Sequence, residues 1–218
     1  MQTIENKQYK AFLFDLDGVI FDTEPQYTDF WGEVFRTYYP NHKGLELEIK
    51  GQTLTQILTT YFADSETIQR DIVAHLNAFE KTMDFSYLPG FLEFIKALHA
   101  KSVKTAVVTS SNVPKMNNVY RQHPEFKALF NAILTSEDFT RSKPAPDCYL
   151  AAAGRLDVPA SQCIGFEDSI NGLKSLNAAG IFSVGLVTTL SKEAIEGLAH
   201  VTINNYNDKW IHKILQYI

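Results

Sequence analysis

Asp15 and Asp17 stand two residues apart at the end of the apolar run Phe12-Leu13-Phe14, and Gly18 follows directly. The run reads as a buried strand whose C-terminal end presents two carboxylates at a bend. Carboxylates beside a hydrophobic strand are costly unless ions, partners or chemistry compensate them. Asp-x-Asp alone is common in acidic turns; the apolar lead-in and Gly18 set this one apart. A second acidic pair, Glu167-Asp168, closes another apolar run beginning at Cys163, and Ser169 then opens a helix. Between them the β-branched stretch from Thr105 ends in Thr109-Ser110-Ser111-Asn112. A polar strand end that opens a helix offers hydroxyl and free backbone N–H groups to a phosphate, although Ser-Ser-Asn also serves as an ordinary helix cap. Lys143 lies in a loop stiffened by Pro144 and Pro146, the second of which suits the first turn of a helix.

These groups need elements to hold them. Strands are predicted near residues 104–109, 131–135, 162–166, 181–187 and 200–204, with helical patterns between them. That alternation predicts an α/β fold with a doubly wound parallel sheet and helices on both faces. Ligands bind outside the carboxyl ends of such strands, where Asp15, Thr109, Glu167 and Asp168 all fall. Between Asp22 and Pro89-Gly90 the pattern is helical. One apolar stripe runs through Tyr27, Phe30, Trp31, Val34, Phe35 and Tyr38. A second comprises Leu54, Ile57, Leu58, Tyr61 and Phe62, and a third Ile68, Ile72, Leu76 and Phe79. These read as the core of a small helical body rather than as a cofactor box. Residues 23–88 are thus expected to form a second unit inserted into a core made of 1–22 and 89–218.

The 218 residues are 45% hydrophobic and 21% charged, as expected of a soluble globular chain. No run approaches the roughly 18 apolar residues of a membrane span. The N-terminal stretch has no apolar h-region, so no signal peptide is expected. A net charge of −5 argues against a general nucleic-acid binder. Cys148 and Cys163 lack metal-ligand spacing and read as buried, reduced packing residues, and a cytoplasmic location is expected. The six histidines do not cluster, which argues against a zinc site.

The string from Asp15 to Glu24 resembles the first motif of the haloacid dehalogenase-like phosphotransferases. The segments at Thr109, Lys143 and Glu167-Asp168 resemble that family's second, third and fourth motifs, in order, and the likeness extends to Pro89-Gly90 and the stretch from Asn171 to Gly180. The resemblance implies a Rossmann-like core with a helical cap inserted after the first motif, in the subgroup of β-phosphoglucomutases and sugar-phosphate phosphatases. It implies Asp15 as a nucleophile that becomes phosphorylated and Asp17 as general acid and base. It further implies Lys143 holding Asp15 and phosphate, and Thr109 and Ser110, with Ser111, binding phosphate oxygens. Mg²⁺ would sit among Asp15, Asp168 and the backbone carbonyl of Asp17, with Glu167 assisting, because a hard cation cancels the repulsion between carboxylate and phosphate. The dehalogenase branch lacks the second Asp, so Asp17 points to phosphoryl transfer.

The function implied is hydrolysis of small phosphorylated metabolites, sugar phosphates above all, by a monomer that binds neither nucleic acid nor membrane. The alternative is a phosphosugar mutase of the β-phosphoglucomutase type. Mutases resemble this chain around Lys50-Gly51, yet carry an Arg where Leu54 stands and a His where Tyr27 stands. Lys50, Gly51 and Gln52 are the candidate substrate-contacting residues of the cap, Lys50 standing either as a cap cation or as a solvated loop lysine.

Overall fold

The computed structural model describes residues 8–50, 52–216 and 218; Gly51 lies outside them. Strand β1 (Ala11–Phe14) is wholly buried at the middle of a sheet. It pairs with β2 (Lys104–Val108) on one side and β4 (Cys163–Glu167) on the other. With β3 (Ala132–Leu134), β5 (Phe182–Leu186) and β6 (Val201–Ile203) the order is β3-β2-β1-β4-β5-β6, every pair parallel. Each predicted strand is present within two residues of its expected bounds. Strands covered on both faces read as continuous apolar runs, which is why their existence was plain from the sequence.

Side chains alternate across the sheet. Phe12 and Phe14 face an aromatic cluster with α5 (Phe91–Ala100), α6 (Val113–Gln122) and, beyond the short α9 (Lys192–Ile195), α10 (Lys209–Ile214). Ala11 and Leu13 face a smaller-residue layer with α7 (Asp147–Arg155) and α8 (Ile170–Ala178). Phe14 stacks on Phe166 at 4.9 Å and meets Phe91 edge-on at 5.6 Å, so rings brace the strand that ends at Asp15. Both cysteines are buried, Cys148 in α7 and Cys163 in β4, where burial pushes the Cys163 thiol up to about 12. None of the helices described is long and apolar enough to cross a membrane.

Between β1 and β2 run α1 (Glu24–Tyr38), α2 (Leu45–Glu48), α3 (Leu54–Tyr61) and α4 (Glu66–Thr82). They gather a separate cluster that includes Trp31, Phe35, Ile57, Phe62, Ile72 and Leu76. The apolar stripes forecast most of this cluster, but Tyr38 is exposed at its edge, Leu45 and Ile49 join it from outside the stripes, and Tyr27 both packs against it and lines a cavity. The short α2, opened by Gly44 at φ +88°, carries no stripe and was not foreseen. The chain passes in and out of this segment side by side. Asp22 N–H donates to Ser86 O and Leu88 N–H to Ile20 O, both at 2.9 Å, and Phe21 stacks on Tyr87 at 4.8 Å. The outgoing stretch is also tied to α6 and the residue after it. Arg121 donates to Lys81 O and Gln122 to Met83 O, and a ring nitrogen of His123 lies against Phe85 O, each at 2.8 Å.

Phe14→Ala removes a fully buried ring from the strand that carries Asp15. It is expected to lower stability by about 3–5 kcal/mol, read as a shifted midpoint in urea unfolding. A loss under about 1 kcal/mol would mean that the aromatic layer does not brace β1.

Candidate active site

Each group singled out by strand-end reasoning meets at one mouth of the sheet. Asp15 follows β1, and its N–H donates to Phe166 O at 3.0 Å, so the strand ladder continues into the acid itself. Lys143 Nζ reaches it from the proline-stiffened loop, 2.5 Å from Asp15 Oδ1. The same ammonium lies 2.6 Å from Glu167 Oε1 and 3.1 Å from Val108 O. Burial alone would depress the Lys143 pKa, but the Asp15 and Glu167 carboxylates outweigh it and raise it above the usual lysine range. Asp15 is pushed up to about 7, first by burial, which Lys143 opposes and the charges of Glu167 and Asp17 reinforce.

Glu167 is fully buried and its oxygens are engaged. Oε1 accepts from Tyr149 Oη at 2.7 Å and pairs with Lys143. Oε2 accepts from Asp168 N–H at 3.2 Å and from the N–H and Oγ of Ser169 at 3.4 and 3.2 Å. Helix α8 comes so close that a Cβ on Gly172 would sit 1.9 Å from Glu167 Cδ. Asp168 is the opposite case. It is 3% exposed and accepts a short hydrogen bond from Thr189, and among the described residues no lysine or arginine pairs with it. Burial raises its pKa well above the carboxylate range, and the charges of Glu24, Glu167 and Asp15 add to this.

Buried charges are paired or coordinate metals, so Asp168 is an acid in want of a cation. Oxygens of Asp15, Glu167 and Asp168 lie within 4.8 Å of one another. That all-oxygen set fits a hard divalent ion. Because Glu167 is already saturated by its donors, it serves such a site from behind, by holding Lys143 and the amide of Asp168. The backbone at Asp17-Gly18 closes the same space: a Cβ on Gly18, at φ +68°, would lie 2.1 Å from Asp168 Oδ2. Thr188 donates to Gly18 O at 2.6 Å and fixes that turn against the loop after β5.

Asp17 projects toward the helical segment. Oδ1 accepts from Thr23 at 2.7 Å, and Oδ2 from Ser111 at 3.1 Å and Lys115 at 2.5 Å. Thr109 follows β2, and its hydroxyl accepts from Ser111 N–H at 3.0 Å. Ser110 is exposed beside it, and Asn112 caps α6. A cavity of about 370 Å³ joins these strand ends to the helical segment, lined there by Glu24, Tyr27, Glu46, Lys50, Gln52 and Glu80, among others. Lys50 is not a solvated loop lysine. It donates to Glu24 Oε2 and to Thr28 Oγ1, both at 2.6 Å.

Sequence reasoning missed Lys115, Thr188, Thr189, Tyr149, Glu24 and Glu80. Thr188-Thr189 follow β5 as Thr109 follows β2, so the strand-end rule could have found them. Lys115 carried a subtler signal, a cation in the first turn of a helix, where the dipole disfavours one.

Lys143→Met leaves Asp15 and Glu167 buried without their cation. Breaking a buried pair on one side costs about 3–5 kcal/mol, so the variant should unfold at clearly lower denaturant than the parent. Unchanged stability would mean that the ammonium does not hold these acids.

A family model described as haloacid dehalogenase-like hydrolase matches residues 9–180. Fructose-1-phosphate phosphatase YqaB of Escherichia coli is 28% identical over 82% of this chain and 96% of its own. Beta-phosphoglucomutase of Bacillus subtilis is also 28% identical, over 81% of this chain and 83% of its own. Among solved structures, a HAD hydrolase of family IA from Entamoeba histolytica superposes with a TM-score of 0.82 at 22% identity, covering 95% of this chain and 98% of that one. A family match over most of the sequence, on a fold that gathers its motifs at one sheet mouth, makes this chain an enzyme of the haloacid dehalogenase-like hydrolase family.

Proposed function

We propose that this enzyme is a Mg²⁺-dependent phosphatase that hydrolyses small phosphate monoesters, sugar phosphates foremost, through an aspartyl phosphate on Asp15. The observation that carries the reading is the asymmetry between two buried acids: Asp15 has Lys143 at 2.5 Å, whereas among the described residues no lysine or arginine pairs with Asp168. Asp15, Asp168 and the Asp17 carbonyl would hold the ion, which would supply charge neutralisation and favour the anionic form of Asp15. The substrate phosphate sits over Asp15, with the Thr109 hydroxyl, the Ser110 amide and Lys143 as donors to its oxygens. Asp15 forms the new bond to phosphorus as the ester bond breaks, and the leaving oxygen takes its proton from Asp17. Asp17 then accepts a proton from the water that attacks the aspartyl phosphate, which frees Asp15 and inorganic phosphate.

Residues 23–88 act in this reading as a cap over a core of 1–22 and 89–218. The hinge is the paired crossing at Phe21 and Tyr87. Closure excludes water while the aspartyl phosphate forms, and reopening admits it. The lining of the cavity favours a phosphatase over a mutase. Among the described residues its lysines are Lys50, Lys115 and Lys143, and each is paired with a carboxylate. Glu24, Glu46 and Glu80 add negative charge on the cap side. A second phosphate finds no free cation there, and Leu54 and Tyr27 replace the mutase Arg and His.

Asp15→Asn should retain its fold and lose turnover, and beryllium trifluoride should inhibit the parent by mimicking the aspartyl phosphate. EDTA should abolish activity and Mg²⁺ restore it; full activity in EDTA would sink the mechanism. With β-glucose 1-phosphate and a catalytic amount of the bisphosphate, inorganic phosphate should appear faster than glucose 6-phosphate. The reverse order would assign the chain to the mutases.

Because Lys50 and Gln52 line the cavity from the cap, Lys50→Met and Gln52→Ala should change the ranking of kcat/KM across phosphate esters while leaving the Mg²⁺ requirement intact. A uniform change for every ester would remove this loop from substrate selection.

A further inference from the structure

Lys115 is an ammonium in a place that neither helix physics nor core packing explains. It is the third residue of α6, where the helix dipole disfavours a cation. It is 4% exposed, and burying a charge is costly unless it is paired. The cap of α6 does not use its side chain: Asn112 Oδ1 accepts from the backbone N–H of Lys115 at 2.9 Å. The apolar contact of α6 with the sheet comes from Met116 and Val119. What the side chain does meet is Asp17 Oδ2, at 2.5 Å, and the ring of Tyr27, 4.7 Å from its centroid. Tyr27 is fixed in turn by donating to Glu80 Oε1 at 2.8 Å.

We propose that Lys115 is a positioning residue for Asp17, and that it sets how far the enzyme can act on esters with poor leaving groups. The proposal rests on the reading of Asp17 as the group that protonates the leaving oxygen. A protonated carboxyl group keeps about three acceptor directions beside its O–H. Thr23, Ser111 and Lys115 take those three. The O–H is left to donate to the leaving oxygen, which must come within roughly 2.6–3.2 Å. Thr23 and Ser111 are neutral hydroxyls on the hinge and on the strand-end loop. Lys115 alone applies a charge-assisted bond, from a helix whose far end is tied to the cap crossing. Without it Asp17 keeps only two neutral tethers and loses its fixed aim.

Esters differ in how much they need that aim. p-Nitrophenyl phosphate departs as a stable phenolate and needs little protonation. A hexose phosphate departs as an alkoxide and needs it fully. The test is therefore a ratio. Lys115→Met keeps an apolar stem and removes the charge. kcat/KM, which reports the transfer to Asp15 and not the hydrolysis step common to all esters, is expected to fall on the order of 10²-fold on hexose phosphates, with a much smaller loss on p-nitrophenyl phosphate. Asp17→Asn should reproduce the selective loss, and Lys115→Arg should recover part of the hexose phosphate rate. The ratio is read on one preparation, so a partly unfolded variant does not distort it; Lys115→Gln gives the same reading should the Met variant fail to fold. Equal losses on both esters with a raised KM would make Lys115 a phosphate ligand and overturn the proposal, as would parental rates. Parental rates in Lys115→Met beside a selective loss in Asp17→Asn would reject Lys115 alone. An equal loss of kcat/KM on both esters in Asp17→Asn would reject the reading of Asp17 itself.

Discussion

Three carboxylates are brought to the ends of two adjacent buried strands, and one ammonium stands between two of them. Asp15, Glu167 and Asp168 repel one another in a place nearly free of water, and the sheet tolerates them only because Lys143 reaches in from a loop and touches Asp15 and Glu167 together. Much else follows from that arrangement. The loop after β3 must deliver a lysine past Tyr149, whose hydroxyl is itself recruited to Glu167. Helix α8 must approach through Gly172, since any side chain there would strike the Glu167 carboxylate. The turn after β1 must pass Asp168 without a side chain, and Gly18 supplies that passage. The imbalance that remains is a buried Asp168 that has a hydroxyl partner and, among the described residues, no lysine or arginine, in an all-oxygen set that suits a divalent ion.

The aromatic layer serves the same end mechanically. A strand that ends in an unstable cluster of like charges needs its position fixed by something other than the charges. Phe12 and Phe14 lie against rings from β4 and α5, while the opposite face is filled by small residues of α7. The dense face resists displacement of β1, and the small-residue face lets α7 bring Tyr149 close. Packing thus decides where the acids stand, and the acids decide which loops can follow.

Much of this was legible in the sequence because the sheet is parallel and buried. Continuous apolar runs mark such strands without any long-range information, and strand-end residues are then the natural place to look for chemistry. Asp15, Asp17, Thr109, Glu167 and Asp168 were found that way, Lys143 stood out only through the family resemblance of its loop, and all six converge. What stayed hidden depends on packing between elements far apart in sequence. Lys115 reaches Asp17 from 98 positions further along the chain, and its inward turn is set by how α6 lies on the sheet. Lys50 looked like a loop lysine because its partners, Glu24 and Thr28, belong to another helix. Tyr27 fitted an apolar stripe so well that its hydroxyl, aimed at Glu80, carried no separate signal. Helix α2 has no periodic pattern and exists because Gly44 turns the chain there.

The two strands that lead into and out of the helical segment hydrogen-bond to each other, Asp22 to Ser86 and Leu88 to Ile20. The ends of the insertion are therefore neighbours, and its whole length is a closed loop hung from one point of the core. A closed loop can grow, shrink or be exchanged without shifting the register of β1 against β2, because the sheet senses only the two adjoining ends. The core can keep its charge cluster unaltered while the body above it is rebuilt. Arg121, Gln122 and His123 limit that freedom, since any replacement body must present backbone carbonyls where those of Lys81, Met83 and Phe85 now lie.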